Sequence, residues 1–232
     1  MAFSYSPKIV TDGLVFAVDA ANKKSYPGSG TTWTDLAGNN NGTLTNGPTF
    51  DSGSGGSINF DGTDDKTDFS TNIFNGLANT GITIEAWINP DNVSSQALIA
   101  GVWAQSVTND QAGLFIIGGK NYISVADGST AESGAGPGSN NLLVGEWQHV
   151  VGTWKTDRTF ETFNNGVSQG TGTQTGNGYN SSSTGTFRVG AQAQGTSRYF
   201  NGKISQVKIY NRALSPTEVL QNYNALKSRF GL

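Results

Sequence analysis

Cysteine is absent from the 232 residues. That excludes a disulfide framework, a thiolate zinc site and a thiol nucleophile, and it frees folding from any need for an oxidising compartment. Charge is scarce too. Asp, Glu, Lys and Arg make up 13% of the chain, about half the ~25% usual in soluble domains. With 14 Lys+Arg against 17 Asp+Glu, no dominant cationic surface can form, which argues against a nucleic-acid partner. No apolar run approaches the ~18–20 residues that span a bilayer, so no membrane insertion is expected. The opening Met1-Ala-Phe-Ser-Tyr-Ser-Pro-Lys8 lacks the basic and apolar regions of a secretory signal. It predicts synthesis and folding in a cytoplasm.

What is present are turn formers and β-formers. Glycine alone accounts for 32 residues, among abundant Asn, Ser and Thr, a composition poor in helix formers. Short apolar runs recur between these turns with no linker or composition break, which predicts one domain over 1–232 with its core at about 13–210. The clearest run, Gly81-Ile-Thr-Ile-Glu-Ala-Trp-Ile-Asn89, puts Ile82, Ile84, Ala86 and Ile88 on one face, with Thr83, Glu85 and Trp87 on the other. Further strands are predicted at 13–19, 57–60, 96–103, 113–117, 121–126, 147–154, 159–164, 185–189 and 203–210. Asn164-Asn165-Gly166 should make a tight hairpin turn. Twelve or so strands in this length imply an all-β, two-sheet antiparallel jelly-roll sandwich. One helix is expected at 215–230. Ser215-Pro216-Thr217-Glu218 reads as a capping box with Pro at the first helical position, Leu214 and Val219 as its staple, and Gly231 as its stop. Such a helix would seal one edge or end of the sandwich.

Several segments carry a family resemblance. Gly145-Glu-Trp147-Gln-His149-Val-Val-Gly-Thr-Trp154 with the later Phe163-Asn-Asn-Gly166, and Phe200-Asn-Gly202-Lys-Ile204-Ser-Gln-Val207-Lys-Ile-Tyr210-Asn-Arg212-Ala-Leu-Ser215-Pro-Thr-Glu218, resemble laminin-G-like domains of the concanavalin A-like lectin/glucanase superfamily. Phe60-Asp-Gly-Thr-Asp-Asp65 and Ile82-Thr-Ile-Glu-Ala-Trp87-Ile88 fit the same pattern, so the likeness runs from about Leu14 to Tyr223. Leu14-Val-Phe-Ala-Val-Asp19 through Trp33-Thr-Asp35-Leu, continued by Asn39-Asn-Asn-Gly42 to Phe50, is similar to the opening of lectin-like virion proteins of tailed phages, cyanophages in particular. The resemblance implies a jelly roll on the virion surface, made in the host cytoplasm, as capsid decoration or a tail fibre component. A bacterial intracellular or non-classically exported domain is the alternative setting.

Glycosidases also occur in this superfamily, and their chemistry needs two facing carboxyl groups. The E-x-D-x-E strand of the related glucanases is missing. The five glutamates, Glu85, Glu132, Glu146, Glu161 and Glu218, have no carboxylate two residues away. The sole histidine, His149, falls inside a predicted strand, and no G-x-S-x-G elbow occurs. No catalytic residue is assigned and no enzyme is expected.

Asp61, Asp64 and Asp65, around a glycine turn, are the candidate metal ligands, and calcium is the ion that suits an all-oxygen set. It is not an EF-hand, because position 12 counted from Asp61 is Asn72. The family's acidic residue after Gly-x-Ile is Ser205 here. Sugar recognition needs aromatic faces beside planar polar groups on long loops. The candidates are Trp103, Gln105, Asn109 and Asp110 on one loop, Tyr179 and Asn180 on a second, and Arg198 with Tyr199 on a third; the glycine-rich stretch 126–141 adds Asp127, Glu132 and Asn140. Trp33, Trp87, Trp147 and Trp154 are expected to pack. The expected function is a non-enzymatic lectin-like protein contacting host or environmental glycans, with other virion proteins (capsid or tail) as neighbours and a homo-oligomer left open. The alternatives are a purely structural decoration or assembly protein, and a bacterial carbohydrate-binding module.

Overall fold

The structure, a computed structural model, describes residues 7–77, 80–104, 110–128, 133–135, 141–175, 178–192 and 198–232. Among them the strands run, in chain order, β1 (Leu14–Asp19), β2 (Thr32–Trp33), β3 (Gly42–Thr45), β4 (Thr49–Asp51), β5 (Ser57–Asp61), β6 (Lys66–Phe69), β7 (Ile82–Pro90) and β8 (Ala97–Gly101). The second half adds β9 (Ala112–Ile117), β10 (Lys120–Val125), β11 (Ser133–Ala135), β12 (Gln148–Trp154), β13 (Thr159–Asn164), β14 (Val167–Thr173), β15 (Arg188–Val189) and β16 (Asn201–Tyr210). Helix α1 (Pro216–Leu226) follows, continued by a 3₁₀ turn over Lys227–Phe230.

The strands form two antiparallel sheets. The first has the order β14-β13-β12-β7-β16-β5-β4, with β1 also pairing with β16; the second has the order β11-β10-β9-β8-β15-β6-β3-β2. Between them lies the core, where Ile82, Ile84 and Ile88 of β7 meet Ile99 of β8, Leu114 of β9 and Phe187, all fully buried. The molecule is thus a jelly-roll sandwich, as the alternation predicts. The predicted hairpin turn forms, with Asn165 at φ 51° and Gly166 at φ 77°.

Among the described residues sixteen strands replace the expected dozen or so. Short β2, β3, β4 and β6 escape a periodicity reading because two to four residues cannot display a period. The helix also differs from expectation. Its capping box is present, with Ser215 Oγ accepting the Glu218 N–H, but α1 covers a sheet face rather than an edge or end. It lies on the outer side of the first sheet, where Val219 and Leu214 pack on Val151, Phe163 and Tyr210. Trp87 stacks at 4.1 Å on Phe230 and 5.9 Å on Tyr223. β7 is therefore buried on both faces, which explains why Trp87 and Glu85 are fully enclosed.

Beneath the helix lies a polar seam. Glu85 Oε1 accepts the Lys208 ammonium at 2.8 Å and lies 3.2 Å from His149 Nε2, while Oε2 accepts Asn222 Nδ2 at 2.6 Å. Lys208 also bonds Gln206, whose amide reaches Asp19 at 3.0 Å. Asp19 holds Arg229 at 3.0 Å, and Arg229 bonds Ser205 Oγ. Ser205 stands at the register shift of β16 against β7. There it donates to the Gly56 carbonyl at 2.5 Å.

Candidate functional site

Among the described residues expected to grip sugar on the loops, Trp103 and Asp110 are buried and the others are half-buried. Trp103 is 1% exposed, with its ring edge-on to Phe115 at 5.2 Å and Leu98 and Ala126 beside it. This corrects the expectation of an open indole: the apolar outer surface of β8 and β9 draws the ring down. Tyr179 is half-buried, packed at 5.8 Å on Trp154, and donates its hydroxyl to the Phe74 carbonyl at 2.8 Å. Burial pushes its phenol well above the ordinary range. Asp110 is buried and accepts the Ala104 N–H, and its own carbonyl accepts Asn180 Nδ2 at 3.0 Å. The Arg198 guanidinium sits 5.8 Å over the Phe115 ring, and Tyr199 is half-buried. Gln105 and Asn109, like Glu132 and Asn140, lie outside the described residues.

Asp110, Tyr179 and Asn180 do come together, but as rim construction. The missed member is Gln111, fully buried, whose amide donates to Asn75 Oδ1 and to the Asn180 carbonyl, both at 2.8 Å, and accepts Asn72 at 2.6 Å. This network consumes the polar groups that a sugar would need.

The acidic turn does assemble. Asp61, Asp64 and Asp65 each offer a carboxylate oxygen, all within 4.8 Å of one another. Asp61 Oδ1 accepts the Thr63 N–H at 2.8 Å, which holds this carboxyl below its ordinary range. Asp65, 4% exposed, accepts the Asp61 N–H at 3.0 Å. Burial first, and then the charges of Asp61 and Asp64, raise its pKa. An all-oxygen set under mutual repulsion fits a hard cation.

An open groove of about 570 Å³ is lined by Trp147, Leu143, Glu146 and the amides of Asn141, Gln148, Asn164 and Asn165, within the ~300–1,000 Å³ usual for small-ligand sites. Trp147 was expected to pack as a strand residue. β12 begins one residue later, at Gln148, so Trp147 stands before the strand; it packs as expected, half-buried and tilted against Phe230 at 4.8 Å. The loop carrying it is clamped. Gln148, 2% exposed, accepts the Leu143 N–H at 3.1 Å and donates to the Leu143 carbonyl at 2.9 Å. The Gly145 N–H bonds the Pro90 carbonyl at 2.8 Å, its own carbonyl accepts Asn89 at 3.1 Å, and the Leu142 N–H bonds the Gly119 carbonyl at 2.7 Å. The run Asn140-Asn-Leu-Leu-Val-Gly-Glu-Trp147 held a signal for this site. Leu143 and Val144 are adjacent apolar residues that no periodic element absorbs, and both are more than half exposed.

Comparison with known proteins places this architecture. Domain 4 of AbnA, a GH43 extracellular arabinanase from Geobacillus stearothermophilus solved with arabinotriose, superposes with a TM-score of 0.69 at 16% identity, over 90% of this chain and 98% of that domain. A botulinum neurotoxin type C structure, described as entering cells through two ganglioside molecules, gives 0.68 at 13% identity over 92% of this chain and 51% of its own. Trypanosoma rangeli sialidase in complex with sialic acid gives 0.62 at 16% identity over 97% of this chain but 36% of the enzyme. The chain thus spans about half of the toxin structure and about a third of the sialidase, and at these identities the likeness is one of fold. No curated protein sequence matches the chain. The family described as the concanavalin A-like lectin/glucanases superfamily, in its laminin-G type, matches residues 61–220, and the chain belongs to that family.

Proposed function

We propose that the protein is a non-catalytic carbohydrate-recognition module and that the Trp147 groove is its ligand site. The observation that carries this reading is the pre-formed groove, in which the half-buried Trp147 stands beside the side-chain amides of Asn141, Asn164 and Asn165. Indole faces match the C–H surfaces of sugars, and planar amides pair with neighbouring hydroxyls without the desolvation cost of charges. The arabinotriose seen on the arabinanase domain of the same fold supports the ligand class. In this reading the module binds without hydrolysis, since Glu146 is the one carboxylate side chain among the described residues lining the groove and hydrolysis uses two. A polysaccharide panel should therefore release no reducing ends. For the setting we keep the virion surface, which rests on the likeness of residues 14–50 to phage lectin-like proteins; co-purification with particles in the absence of any glycan binding would favour the structural role instead.

Trp147→Ala is expected to weaken glycan binding at least tenfold in titration calorimetry, and Trp147→Phe to retain most of it. Absence of glycan binding by the unmodified protein would overturn the reading. Because Trp147 also touches Phe230, the melting temperature of each variant is measured alongside.

We also propose that Asp61, Asp64 and Asp65, whose carboxylate oxygens lie within 4.8 Å of one another, hold calcium. Sites of this open kind bind at about 10⁻⁴–10⁻³ M, so 10 mM calcium should lift the melting temperature by roughly 3–10 °C over EDTA. Asp64→Asn should remove most of that gain, and an unchanged melting temperature would remove the ion.

A further inference from the structure

Asn141 of the Trp147 groove also borders a second cavity. This open chamber of about 370 Å³ is lined by Asn141 and Leu142 with Val93, Ser94, Gly118 and Gly119. Asn141 lines both chambers and is itself exposed. The floor of the second chamber is the tight turn joining β9 to β10, where Gly118 and Gly119 have φ of 58° and 76°. This left-handed geometry, which side chains resist, leaves bare backbone facing a ligand. The Leu142 N–H bond to the Gly119 carbonyl fixes the two chambers relative to one another. Among the described side chains lining either chamber Glu146 alone carries a charge.

Resting on the carbohydrate reading above, we infer that the ligand is a neutral, linear oligosaccharide segment that runs across Asn141 and occupies both chambers, rather than a single terminal or acidic sugar. Among the described residues the lining offers amides, one serine hydroxyl and backbone, with no cation to pair a carboxylate or sulfate. Glu146 repels such groups. Two chambers sharing one divider reward each additional sugar unit on either side, so affinity should grow with chain length.

The test uses the full chain against an array of neutral, sialylated and sulfated glycans, followed by calorimetry on a two-to-six-unit series of the best neutral binder. Affinity is expected to rise at least tenfold from the disaccharide to the tetrasaccharide. Gly118→Asn tests the second chamber without disturbing the fold: asparagine accepts positive φ, and a Cβ at Gly118 meets nothing within 4 Å. It should abolish the gain with length, and Asn141→Ala should reduce the tetrasaccharide affinity several-fold. Preference for sialylated or sulfated glycans, affinity independent of length, or a Gly118→Asn variant that keeps the full gain would overturn this inference while leaving the carbohydrate reading standing. Binding to no glycan at all would overturn both.

Discussion

Replacing Lys208 by alanine is expected to cost the fold about 3–5 kcal/mol, because it strands the Glu85 carboxylate in a site without water. Lys208 and Glu85 are each about 1% exposed and 2.8 Å apart. Burial alone would raise the Glu85 carboxyl; Lys208, followed by His149, overcomes that and holds it far below the ordinary 4.5. Removal of the ammonium therefore forces either an uncompensated charge or an uptake of protons at neutral pH. Urea unfolding should show a lower midpoint at unchanged slope. The double variant Glu85→Leu/Lys208→Met should recover much of the loss, since an apolar pair of similar volume avoids the desolvation cost. It leaves Asn222 without its 2.6 Å acceptor, which limits the recovery. A Lys208→Ala loss below about 1 kcal/mol would mean that the seam contributes as little as a surface pair.

The same seam sets the acid response. A carboxylate whose folded pKa is depressed contributes stability that is complete above its unfolded value and is lost as pH falls toward the folded one. Glu85 is depressed, and Glu218, held by Arg212 at 2.6 Å and by the Ser215 backbone, is lowered from 4.5 to about 2. Stability should hold down to about pH 5 and fall steadily from pH 4.5 toward 2; Lys208→Ala should flatten the Glu85 share of that fall. The seam also reaches the groove. Arg229, held by Asp19, flanks Phe230, and Phe230 supports Trp147. Loss of Lys208 should therefore weaken glycan binding as well as folding.

How far these features could be read beforehand follows from where each kind of information resides. β7 was legible because its nine residues carry an uninterrupted two-residue period. The helix was legible because Ser215, Pro216 and Glu218 encode its start locally. Its position on a sheet face was not, since that depends on Trp87, His149 and Tyr223 meeting across long sequence separations. β14 (Val167–Thr173) was missed because it is an edge strand with mostly exposed residues and hence no apolar rhythm. The acidic turn was readable because its three aspartates lie within five residues. The groove was not: Asn141, Leu143, Glu146 and Trp147 meet Asn164, Asn165 and Leu232 there, across separations that no local pattern encodes. Sequence likewise cannot distinguish a loop amide free for a ligand from one consumed by the rim, as Asn180 is.

Phe187→Ala should cost about 3–5 kcal/mol, comparable with the loss of Lys208 but by the opposite mechanism, a void in apolar packing instead of an unpaired charge. Phe187 is fully buried one residue before β15, with Phe69 at 4.8 Å, Phe16 at 5.0 Å and Phe74 at 5.6 Å. Those rings come from β1, β6 and the loop after β6, so the cluster joins both sheets to the loops of one end. Truncation leaves a cavity that three rigid rings cannot collapse to fill. At about 2–4 °C per kcal/mol for a domain of this size, the melting temperature should drop by roughly 6–20 °C. Phe187→Leu, which keeps more of the volume, should lose markedly less. Unlike Lys208→Ala, neither variant removes a partner of Glu85 or Glu218, so the acid profile should keep its shape. Phe74 also supplies the carbonyl that holds the Tyr179 hydroxyl, so the loss should loosen the Gln111 rim and leave the Trp147 groove intact. A Phe187→Ala variant that melts within about 2 °C of the parent would show that the aromatic cluster does not join the sheets.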